Sequence, residues 1–474
     1  MLAVERTLNN RTILSYGILS LPVGMIGIPM GIYLAPFYAG ELGSPLAAVG
    51  TMLMLSRLSD FVTDPIVGLL SDRWNPAMGR RKVWLPIGTL VMMTGVYLLF
   101  RPPGGIGPVY FLLAVSCTYL GYTVLMLPYH AWAAELSPHY HERTRVVASS
   151  RFFDTAGLVI STFIPAYVLS RPGATSGDIM FALSTYFLIG LPICVSITFF
   201  SVKERRQTVL PSEALTVKAA LQLLSRNRPL ALVVAAVFIA TFAEVFRQTT
   251  TVFFADEIIG ADNVGLIYVV YFVVALALIP VWSRLANRIE KHRALALALC
   301  VVVLTNFAML LLSPGQVAAF TVLFALKGAC YGALALLPIA MIADTADIET
   351  ALTGRRSQGL IFGIKAMVQK LAYAAGQGVP LIALGWLGFN AEGGNGPEEL
   401  YWLKLMYSIV PAAIALAAIA VLLPYSLTAA RHKQLQRYLA AVEKGQDAEL
   451  PAFRKQPADS LSAGGVGGGD EGRA

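Results

Sequence analysis

Twelve stretches of about twenty mostly apolar residues, each long enough to cross hydrocarbon as a helix, recur along this 474-residue chain. They run near 12–39, 45–72, 83–100, 107–136, 146–170, 178–201, 229–255, 261–286, 294–313, 316–345, 359–391 and 400–427. In lipid the backbone must satisfy its own hydrogen bonds, so apolar runs of this length become helices. Only 14% of the residues are charged, against roughly 25% in a soluble domain. The pattern therefore predicts an all-α membrane protein. The polar start, Met1 to Arg11, and the lack of a short apolar segment before a small-residue cleavage site predict no cleaved signal peptide. Cys117, Cys194, Cys300 and Cys330 fall inside apolar stretches and read as packing residues. No phosphate-cradling glycine loop, zinc spacing or nucleophile triad is present, which argues against an enzyme.

Basic residues sort by loop parity. One side carries Arg73, Arg80, Arg81, Lys82, Arg143, Arg145, Lys203, Arg205, Arg206, Arg288, Lys291, Arg293, Arg355 and Arg356; the other carries Arg101 and Arg171 among acids such as Glu41, Asp256 and Glu398. By the positive-inside rule both termini lie in the cytoplasm of a multi-pass protein of the cell (inner) membrane. The net charge of +8 suits loops on anionic lipid and needs no nucleic acid. Matching punctuation after spans 2 and 8, and after spans 4 and 10, divides the chain into two six-span halves. The expected units are 1–201, a central loop at 202–228 with an amphipathic piece near Ala219–Leu224, 229–427, and a partly disordered cytoplasmic tail at 428–474. Such halves are the major-facilitator layout, and a monomer is expected.

Span 2 interrupts its apolar run with Arg57-Leu58-Ser59-Asp60-Phe61-Val62-Thr63-Asp64-Pro65. On a helix, Asp60 and Asp64 stack one turn apart, with Arg57 one turn before. Charges in a lipid-spanning segment cost several kcal/mol each unless paired or hydrated. Two readings fit: the acids bind a passing cation, or they lock permanently to Arg57, Arg151 or Lys370. Two close carboxylates could also share a proton, which keeps H⁺ beside Na⁺ as the coupling ion, with no other metal or cofactor. Arg151 and Asp154 repeat a self-neutralising spacing on span 5, as do Glu244 and Arg247 on span 7; the latter pair reads as structural. Lys327 and Lys365 also lie within spans, where a long side chain can snorkel to the interface.

The chain resembles the glycoside–pentoside–hexuronide:cation symporter family of the major facilitator superfamily. The resemblance rests on Arg57 to Pro65 with Gly79 to Trp84, YTVLMLPYHAW (Tyr122 to Trp132), Glu142 to Arg145 with Ser149 to Phe153, MIADTAD (Met341 to Asp347) and MVQK (Met367 to Lys370). It implies that Asp60 and Asp64, with the Thr123 hydroxyl, hold Na⁺, Li⁺ or H⁺. It also implies that Arg151 and Lys370 sit at the substrate and cation sites. Tyr129, His130 and Trp132 on span 4 are further substrate candidates. The sequence departs from the family pattern at Met126, Pro22-Val23-Gly24 and Ala335, where sugar-binding acids and a stacking tryptophan are expected. Asp72-Arg73 with Gly79-Arg80-Arg81-Lys82 is similar to the superfamily's gating signature. Glu135 with Arg143 and Arg145, and Asp344 with Arg355 and Arg356, are the expected matching contacts. The expectation is a transporter that couples Na⁺ or H⁺ to symport of a small solute by alternating access. That solute is a glycoside or, alternatively, a lysolipid-like or amphipathic anion; a non-transporting membrane sensor is the third reading.

Overall fold

The computed structural model describes residues 8–74, 76, 78–136, 140–204, 217–353 and 358–443. No strand occurs among them. The first half holds α1 (Asn10–Gly17), α2 (Ser20–Ile32), α3 (Leu46–Leu58), α4 (Asp60–Arg73), α5 (Trp84–Phe100), α6 (Pro108–Glu135), α7 (Tyr140–Val168) and α8 (Ser176–Ser201). A connecting helix, α9 (Val217–Arg226), leads to α10 (Arg228–Phe254), α11 (Val264–Ile289), α12 (Lys291–Leu310), α13 (Val317–Thr353), α14 (Gln358–Trp386) and α15 (Pro397–Leu422). A final helix, α16 (Ala429–Glu443), follows.

Every expected span is helical, and α9 covers the amphipathic piece anticipated in the central loop. Among the described residues, nine helices are long and apolar enough to cross a membrane. The other three spans are α5, shorter at 17 residues, and α7 and α14, which carry charged residues discussed below. Spans 1 and 2 are each made of two helices. The second is interrupted at Ser59, whose amide still donates to the Leu55 carbonyl at 3.1 Å. All four cysteines are free, and Cys300 is exposed.

The halves touch through α3 with α14, α7 with α11, and α2 with α10. These contacts concentrate at the end where the acidic loops lie. Gly50 of α3 and Gly378 of α14 face each other so closely that a Cβ on Gly50 would stand 2.8 Å from the Gly378 carbonyl. Gly265 of α11 lies against Ala166 of α7 in the same way, with 2.5 Å to its amide. Missing side chains thus let helices seal this end. Toward the basic loops the halves part: α4 packs within its own half, on α3 and α6, and α7 shares no packed interface with α14. A cleft between the halves at the basic-loop end results, and Asp64 of α4, Arg151 and Asp154 of α7 and Lys370 of α14, all partly exposed, lie on the helices that flank it.

Candidate functional site at the helix break

The acids of span 2 sit where α3 gives way to α4. Ser59 bends back, its hydroxyl donating to the Ser56 carbonyl at 2.7 Å, and Asp60 opens the new helix. Pro65 has no amide hydrogen, so the Phe61 carbonyl is left without a helical donor in the turn that carries both acids.

Lys370 reaches these acids from the other half. Its ammonium is ion-paired to Asp64 and lies 3.2 Å from Asp60 Oδ2. Thr123 on α6 donates its hydroxyl to Asp64 Oδ1 at 3.0 Å. Asp60 is buried (3% exposed), whereas Asp64 and Lys370 keep 29% and 28% of their side-chain surface. Water reaches one side of the cluster. Asp60 Oδ1 is buried without a hydrogen-bond partner, a costly condition for an acceptor. Of the basic partners that the locked reading offered, Arg57 forms no ion pair with Asp60. Arg57 instead lies over the Tyr119 ring, 3.8 Å from its centroid, with Tyr373 at 5.8 Å on another side. Cation–π contact holds it off the carboxylates while keeping its charge nearby.

One turn of α7 faces the same cleft. Arg151 is 71% exposed and pairs loosely with Asp154 at 3.8 Å. Tyr122 on α6 has Asp154, Arg57, Arg151 and Asp60 as its charged neighbours. His130, on the same helix, is exposed and has Arg151 as its charged neighbour.

Tyr129 and Trp132 do not belong to that cavity, contrary to the sequence expectation. Both are fully buried. Tyr129 stacks on Tyr16 with ring centroids 4.3 Å apart, each hydroxyl donates to the other residue's carbonyl (2.5 and 2.7 Å), and Trp132 meets Tyr16 edge-on. Helical rotation points them away from His130, and they pin α1 to α6. Met126, at a family acid position, is likewise buried. Lys327 is a second correction: it is 2% exposed and does not snorkel.

At the basic-loop end the gating residues form a compact cluster within the first half. Arg81 donates to Asp72 Oδ1 (2.7 Å), Ser71 Oγ (2.8 Å) and Glu135 Oε1 (2.7 Å), and Arg80 donates to Glu135 at 2.7 Å. Burial works against the Arg81 charge, but Glu135 and Asp72 more than offset it and raise its pKa above the ordinary value. The sequence reading missed Glu204, whose carboxylate accepts from the Arg81 and Lys82 amides at 2.9 and 3.0 Å. Gly79 turns with φ +110°, and a Cβ there would stand 2.3 Å from Glu204. Arg73 is exposed at the end of α4. Arg145 binds Asn10 rather than Glu135. The Arg143 side chain and Arg355 lie outside the described residues, as does Arg356. Asp344 pairs with Lys291 of α12 at 2.6 Å, a partner the sequence did not suggest.

Residues 15–429 match the family described as MFS/sugar transport protein. The chain belongs to that family. Among its relatives is the putative glycoside/cation symporter YagG of Escherichia coli, 25% identical over 92% of this chain and 96% of the relative. The glucuronide carrier protein homolog of the same organism is 25% identical over 91% and 96%. These place it in the glycoside–pentoside–hexuronide symporter branch of the superfamily. A bacterial homolog of the human lysosomal transporter Spinster, crystallised inward-facing and unoccupied, superposes with a TM-score of 0.62 at 12% identity, covering 93% of this chain and 98% of that one. That likeness establishes the major facilitator fold. The family match and the helices establish a multi-pass membrane transporter.

Proposed function

We propose that the chain is a symporter, driven by Na⁺ or alternatively H⁺, that carries a sugar-like solute across the cell membrane with both termini in the cytoplasm. The open basic-loop end then faces inward. The single observation that carries the reading is the Lys370 bridge to Asp60 and Asp64, made from the opposite half and beside an unpartnered Asp60 oxygen. Arg57, Lys370 and the two acids sum to zero charge. Adding a cation gives +1 in a low-dielectric site unless Lys370 withdraws, so ion and lysine compete. Because Lys370 belongs to α14, binding an ion releases a contact between halves and biases their equilibrium. The Thr123 hydroxyl beside Asp64 supplies a neutral oxygen that survives the exchange. One charge moved across 100 mV yields about 2.3 kcal/mol, roughly a 50-fold solute gradient.

The test needs no known solute. Purified protein should be thermally stabilised by Na⁺ over choline, and Asp64→Asn should abolish the response while the variant remains folded. A stabilisation that follows acidification rather than Na⁺ would assign the coupling to H⁺. An Asp64→Asn protein that responds to both ions like the parent would remove the symport reading.

A further inference from the structure

Lys327 of α13 is buried in the second half, 2% exposed, and its ammonium has no hydrogen-bond partner among the described residues. It stands 5.3 Å from the centre of the Tyr407 ring, a contact that serves one side of a group with three N–H donors. Phe324, one turn before Lys327 on α13, carries Arg247 of α10 over its face, 5.1 Å from its centre. Phe320 touches both rings, at 5.5 Å from Phe324 and 6.5 Å from Tyr407, so the two cations rest on one aromatic layer. Among the described residues, Glu244 is the one acid among the charged neighbours of either cation. Its carboxylate is taken by Arg247 and by the Tyr271 hydroxyl. Two cations thus share one carboxylate in the core of a membrane bundle, where unpaired charge is costly. The Tyr407, Tyr268 and Ser408 hydroxyls are buried there as well, and none has a hydrogen-bond partner. Ammonium and hydroxyls can all donate, and no acceptor among the described residues meets them. Beside Arg247 and Asn306 a cavity of about 10 Å³ leaves room for one water-sized particle.

We propose that the core of the second half binds a halide such as chloride, which accepts from the Lys327 ammonium and the Tyr407 hydroxyl. A monatomic anion supplies the missing negative charge and accepts from donors that converge at any angle, whereas a carboxylate or phosphate exceeds the space. With it, Lys327, Arg247, Glu244 and the halide sum to zero charge. The donors come from α13 and α15, which belong to one half, so the anion travels with that half and stays bound through the transport cycle. It is neither the coupling ion nor the solute.

Purified protein in sodium gluconate is titrated with sodium chloride at constant Na⁺. The melting temperature should rise saturably by about 3 °C, bromide should replace chloride, and equilibrium dialysis should retain about one radioactive chloride per chain. Lys327→Met should remove the chloride response while the Na⁺ response, read in gluconate, remains. Tyr407→Phe keeps the ring, loses the hydroxyl and should weaken chloride binding about fivefold. A parent protein that retains no radioactive chloride overturns the proposal, because Lys327 is then held without an anion. A chloride response that survives in Lys327→Met overturns it as well, by placing the anion elsewhere. Should that variant not fold, dialysis of the parent and of Tyr407→Phe decides alone, and equal chloride affinity in the two removes the site.

Discussion

Two of the acid–base clusters within the membrane-spanning helices are built to opposite ends. The first, Asp60 and Asp64 with Lys370, joins the two halves and is reached by water. The second, Glu244 with Arg247, closes within one turn of α10. Arg247 is 1% exposed; it is ion-paired to Glu244, donates to Thr251 at 3.3 Å, and faces Phe324, while the Tyr271 hydroxyl donates to Glu244 at 3.2 Å. The second cluster lies wholly within one half and moves with it. The first must be remade whenever the halves move. Location, more than chemistry, separates a switch from a brace.

The largest effect expected from breaking this contrast is at the brace. Glu244→Gln leaves a buried guanidinium uncompensated and should cost about 3–5 kcal/mol of stability, seen as a lowered melting temperature with the Na⁺ response unchanged. At the switch, Lys370→Met removes the competitor for the acids and should raise Na⁺ affinity about tenfold, measured by ion titration of thermal stability; a fall in affinity would mean that lysine assists the ion. The smallest effect belongs to Tyr119→Leu. Loss of the ring releases Arg57 toward Asp60 and should weaken Na⁺ binding about threefold, matching a cation–π contact of roughly 0.6 kcal/mol.

The residues that the sequence singled out and the structure brings together share a reason. Asp60, Asp64 and Thr123 are polar groups in apolar runs at helical spacing, and their conspicuous cost marks them. The misassigned ones are amphipathic. Tyr129 and Trp132 read equally well as cavity lining or as core, and only their rotation toward Tyr16 decides for core. Arg57 had acids one turn away in sequence, yet Tyr119 from another helix outcompetes them. Glu204 left no trace, because its partners are backbone amides, which every residue has.

The chain's own letters determined that its apolar runs are helices and that span 2 carries charge, because each follows from transfer of local segments into lipid. Which lysine meets which aspartate and where the halves seal were decided only by tertiary packing. Those relations depend on side chains hundreds of residues apart, and one ammonium can satisfy an acid only where the helices bring it within bonding distance.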